Sequence, residues 1–116
     1  MKLILPISLL CLNTTLSALE PKEIFLIVNK DVPASEDIAK HYCKQRQVPT
    51  SNILSFSLPK KEDISRHDYN TRLLAPLRNA LKEKKANVKC LLTIYGVPLR
   101  VGNQLPTKEE RAKLDQ

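Results

Sequence analysis

Residues 24–28, Ile-Phe-Leu-Ile-Val, form an unbroken apolar run bounded by Glu23 and Asn29. A strand with one wet face alternates apolar and polar side chains, and this run does not alternate. It is too short for an apolar helix and rich in β-branched residues. That combination reads as a strand buried on both faces, at the centre of a parallel sheet. Such a strand needs helices above and below, because neither face can be left to water. A second apolar run, Val88–Tyr95, makes the same demand.

The intervening segments supply the rest of a β-α-β-α-β unit. Ser35 is placed to cap a helix, with Glu36 and Asp37 in a first turn whose dipole favours acids. Ile38, Ala39, Tyr42 and Cys43 repeat at helical spacing, and the helix is expected over Ser35–Arg46, before Pro49. In Ile53–Leu58, Leu54, Phe56 and Leu58 alternate with Ser55 and Ser57, the pattern of a half-buried strand nearer the sheet edge. A longer helix is expected over Ser65–Lys84, with Ser65 and Asp68 in a near-capping-box arrangement. Its core stripe is Tyr69, Leu73, Leu77 and Leu81. Pro76 lies inside it and predicts a kink or a split. The fold class is therefore α/β: a small three-layer parallel sheet with the first strand in the middle, both crossovers right-handed.

The division of the chain is a leader over 1–18, an α/β domain over 19–106 and a short helical tail over 107–116. The leader reads as a signal peptide: Lys2, the apolar stretch Leu3–Leu12, and a cut expected after Ser17 or Ala18. The apolar stretch is about half the ~20 residues that span a bilayer, so no transmembrane helix is expected after cleavage. An exported chain, periplasmic or secreted, follows. The tail helix starts at Thr107, with Glu110 three residues on.

Several function classes are closed to this chain. Gly96 and Gly102 are the only glycines, so neither a Walker phosphate loop nor a dinucleotide fingerprint is present. The net charge of +7 falls little with the leader, which carries one basic residue and no acid. The lysines and arginines are dispersed as solvated helix faces; a weak attraction to polyanions is the functional alternative. No aromatic residues interleave with them, so no specific nucleic-acid binding is expected. Cys43 and Cys90 remain after the leader. They pair as a disulfide or stay as two buried thiols. With His41 and His67 the only histidines, neither a metal site nor a cofactor is implied. Both histidines fall on helical segments among charged neighbours, as surface residues, and no catalytic set can be assembled.

The motif order resembles a family of exported bacterial proteins without an assigned activity. The matching pieces include Ile27-Val28-Asn29, Ser35 to Tyr42, Val48-Pro49, Asn52-Ile53-Leu54 and Ala75-Pro76-Leu77-Arg78; the most specific are Ile64-Ser65-Arg66 and Gly96-Val97-Pro98-Leu99-Arg100. Members of that family are longer, so the resemblance implies a truncated member or fragment. The succession of a central strand, a helix, a second strand, a helix and a third strand ending at a glycine is also similar to the start of caspase-like cysteine peptidases. In those a His-Gly pair follows the third strand and the nucleophilic Cys the fourth. Tyr95-Gly96 stands at the first place here, which implies at most a degenerate or partial lobe.

Ligands of open parallel sheets bind beyond the carboxyl ends of the strands. Those ends offer Asn29, Lys30 and Asp31, then Lys60 and Lys61, then Tyr95 and Arg100. The candidate ligand-binding residues are Asn29 and Tyr95, to orient a polar group, and Arg100, to clamp an anion. The alternative is that Asn29 fixes its turn, Tyr95 packs and Arg100 is solvated. The functional reading is a non-catalytic exported α/β module or a fragment of a longer protein. Self-association or added structure is expected at the third-strand edge, beside Leu91, Thr93 and Tyr95.

Overall fold

The computed structural model describes residues 18–84, 87–102 and 112. The expected leader, bar Ala18, and the expected tail helix, bar Ala112, lie outside the described residues.

The first strand, β1 (Ile24–Asn29), is buried at every position. It lies between β2 (Ile53–Phe56) and β4 (Cys90–Thr93), parallel to both, in the order β2-β1-β4. Two crossovers that leave in opposite directions and share one hand must place their helices on opposite faces. That is the arrangement found. Helix α1 (Pro33–Arg46) packs Ala39 and Cys43 onto Ile24, Leu26 and Val28. The second helical segment packs Tyr69, Leu73, Leu77 and Leu81 onto Phe25, Ile27, Leu54 and Phe56. The fold is a small three-layer α/β sandwich.

Helix α1 begins two residues before the expected start. Val32 is its N-cap and Pro33 occupies the first turn, where the missing N–H costs nothing. Ser35 is fully buried, and its Oγ accepts the N–H of Asn29 at 3.0 Å. The buried stripe of α1 is thus Ser35, Ala39 and Cys43, while Ile38 is 44% exposed. The stripe is rotated because Ser35 can enter the core with its hydroxyl satisfied. Helix α1 ends on Gln47 in the left-handed region, at φ 57°.

The second helical segment is divided as Pro76 requires. Ser65 caps it, its Oγ accepting the N–H of Asp68 at 3.0 Å. The segment runs as α2 (Arg66–Asp68), a π-helical stretch (Tyr69–Leu74) and α3 (Ala75–Leu81). Pro76 has no N–H for the Arg72 carbonyl, and its ring would strike that oxygen in a regular helix. The wider π turn removes both conflicts, and the N–H of Ala75 bonds five residues back to Asn70.

The second and third strands are shorter than their apolar patterns. Leu58 is 1% exposed although β2 ends at Phe56. A further pair is not legible from periodicity: β3 (Asp63–Ile64) and β5 (Arg100–Val101) form a parallel two-stranded sheet. Ile64 and Val101 pack it into the core on the α2–α3 face of the main sheet, with Phe25, Ile27, Leu54 and Phe56.

Candidate functional site

The carboxyl ends of β1, β2 and β4 meet around Asn29. Its side chain is fully buried. Nδ2 donates to the carbonyls of Leu58 at 3.0 Å, Pro59 at 3.3 Å and Gly96 at 2.9 Å. Oδ1 accepts the N–H groups of Asp31 at 3.1 Å and Leu58 at 3.2 Å. One carboxamide therefore ties together the exits of all three strands, and its capacity is used within the chain. Asn29 builds the floor of the site and offers no atom to a ligand.

Gly96 is the partner that makes this closure fit. Its φ is +92°, and a Cβ there would stand 3.1 Å from the Cβ of Val32. The loop leaving β4 presses against the loop leaving β1, a contact that a side chain would obstruct. Asp31, Ser57 and Arg72 tie the neighbouring loops. Ser57 Oγ donates to the Asp31 carboxylate, while Arg72 Nε donates to the Ser57 carbonyl at 3.1 Å.

Above this floor lies a cleft of about 510 Å³. Val32, Ile94, Val97 and Leu99 give it apolar walls, and Lys60, Lys61 and Tyr95 give it polar ones. Tyr95 is 71% exposed and Leu99 78%, large side chains that the core does not use. Both lysines are exposed, and among the described residues neither belongs to an ion pair. Arg100 lies outside the lining. Its Nε and Nη2 form a fork on Asp63, at 2.8 and 3.1 Å, and Nη2 reaches Glu62 at 3.4 Å. It pins β5 to β3 and holds the Glu62 carboxylate, which borders the cleft. Of the three residues expected to bind, Tyr95 lines the cleft, Asn29 scaffolds it and Arg100 braces its outer wall. Val32, Gly96 and Leu99 carry no chemical signal in the sequence; what points to this turn is Gly96, one of two glycines, and the Gly96–Arg100 piece of the resemblance.

The thiols lie elsewhere. Cys43 and Cys90 are both free, on the α1 face of the sheet. Burial pushes the Cys43 thiol up from its ordinary pKa, so its thiolate is disfavoured. Cys90 starts β4, at the end of the strand away from the cleft. His41 and His67 are exposed on separate helices. Among the described residues no three side chains of His, Cys, Asp or Glu gather as a metal site, and no helix is long and apolar enough to cross a membrane.

Comparison with known protein families, with curated proteins and with solved structures finds no match for this chain.

Proposed function

We propose that the chain is a non-catalytic, exported α/β interaction module that associates by strand addition at the β4 edge. The observation that carries this reading is the state of that edge. β1 is buried throughout, whereas β4 alternates between half-buried and exposed and, among the described residues, is paired on one side alone. Leu91 is 43% exposed, and Thr93 and Tyr95 are exposed beside it. Natural edge strands carry charges or prolines that repel a partner strand. Cys90-Leu91-Leu92-Thr93 has neither, and the flanking Lys89 is already paired with Glu23 at 2.6 Å. A basic chain therefore meets a copy of itself here without like charges opposed. In the purified chain the added strand is β4 of a second copy, about a two-fold axis. Export rests on the leader pattern of Lys2, Leu3–Leu12 and Ser17-Ala18 and on the resemblance to exported bacterial proteins.

Sedimentation velocity on the chain recovered from the cell envelope tests both parts. The intact mass should begin at Ala18 or Leu19, and the species should be a dimer or larger. Leu91→Lys, which places a charge on the edge, should give a folded monomer. A wild-type monomer with a cooperative melt above about 60 °C, the upper mesophile range, would refute strand addition. A cytoplasmic form that keeps Met1 would refute export.

A further inference from the structure

The cleft stands at a place where this topology creates a crevice. From β1 the chain crosses to β2 on one side; from β2 it returns past β1 to β4 on the other. The loop that leaves β1 leads into α1 on one face, whereas the loop that leaves β4 packs Val97 into the core of the other face. The gap between them is the switch point of the strand order, where open parallel sheets hold their ligands. The loop residue Val32 and residues Thr93–Val97 are the walls of this gap, and the 510 Å³ cleft occupies it. Topology and cavity are independent observations, and they coincide.

From the lining we infer that this cleft binds a small organic anion: a phosphate or carboxylate group carried on an apolar or aromatic body. Lys60 and Lys61 supply two cations at the mouth, and the one bordering carboxylate among the described residues, Glu62, is engaged by Arg100. The anion therefore meets net positive charge. The apolar part of the ligand fits against Val32, Ile94 and Val97. Leu99 and the Tyr95 ring, exposed in the free protein, are placed to cover it. The volume lies within the roughly 300–1,000 Å³ of small-molecule sites and leaves room for one aromatic ring with its anionic group. The floor is preorganised, because the Asn29 carboxamide holds the Gly96 carbonyl at 2.9 Å and so fixes the β4 exit loop before a ligand arrives. The cleft shares Thr93 and Tyr95 with the β4 edge, so the titration is repeated on Leu91→Lys, whose edge is blocked: binding retained there separates the cleft from strand addition, and binding lost there would tie it to the associated form.

The test is a titration of the ¹⁵N-labelled chain, as recovered from the producing cell, with phenyl phosphate, inorganic phosphate and benzyl alcohol, followed by amide chemical shifts. Phenyl phosphate should give saturable shifts confined to residues 60–62 and 93–97. Inorganic phosphate, which lacks the apolar body, and benzyl alcohol, which lacks the charge, should each bind more weakly at the same residues. The double variant Lys60→Gln/Lys61→Gln should bind phenyl phosphate about tenfold more weakly, the loss expected for a charge-assisted hydrogen bond. Its amide spectrum outside the cleft should be unchanged. Lys60→Arg/Lys61→Arg should retain binding. Absent shifts, shifts scattered over other surface lysines such as Lys40 and Lys82, or undiminished binding by the Gln variant would each overturn the assignment.

Discussion

Replacing Asn29 by alanine should cost this fold about 4 kcal/mol. The substitution removes one carboxamide that serves five backbone groups. Some of these, such as the Asp31 N–H and the Pro59 carbonyl, lie near solvent and can turn to water. Leu58 is 1% exposed, so its N–H and its carbonyl cannot. A buried polar group left without a partner costs about 1–3 kcal/mol, which puts two such groups at about 2–6. Small domains sit near the low end of the usual 5–15 kcal/mol of stability, so this loss leaves little. Urea unfolding measures it directly: the midpoint should fall sharply with the slope unchanged. Asn29→Asp sharpens the test. It keeps an acceptor for the two N–H groups but sets a carboxylate against three carbonyls. Its folded-state pKa is then raised above the unfolded value of about 3.9, so the folded form holds the proton more tightly. Stability should accordingly be greatest below about pH 4 and fall as pH rises from there toward the folded-state value. A loss under about 1 kcal/mol for Asn29→Ala, or an Asp variant indifferent to pH, would show that the junction of the three strand ends does not depend on this side chain.

Two further outcomes follow from charge and burial. The Lys89 ammonium and the Glu20 N–H hold the Glu23 carboxyl below its usual range, so its contribution is present above the unfolded value of about 4.3 and is lost as pH falls through the folded one. Lys89→Met should therefore flatten the acid limb of a Tm-against-pH curve, and a curve parallel to wild type would refute the pairing. In the chain without its leader, a thiol reagent should modify the half-buried Cys90 in the folded state and Cys43 only on unfolding, because Cys43 is 2% exposed and burial raises its pKa. Equal labelling rates would contradict the packing of α1 on the sheet.

How much of this was legible in the sequence depended on how local the cause is. The run Ile24–Val28 determined its own role, because a strand apolar on every residue can be stable only between two layers. Parallel order, the central place of β1 and helices on both faces follow from it. Pro76 announced its interruption for the same reason, since its missing N–H and its ring act on the adjacent turn whatever surrounds it. Which side chains make the site was decided only by the tertiary structure. Asn29, Tyr95 and Arg100 all lie near strand ends in the sequence, yet one is sealed in the floor, one lines the cleft and one is spent on Asp63. Apart from Asp31, the partners of the Asn29 carboxamide are Leu58, Pro59 and Gly96, far along the chain, and no periodicity records them. The two-residue strands β3 and β5 are too short for any alternation to show, and they form because folding brings Asp63 and Arg100 within reach. Local pattern specifies which faces must be buried; the closing of distant loops on one another determines where a cavity remains and which polar groups are left free to face it.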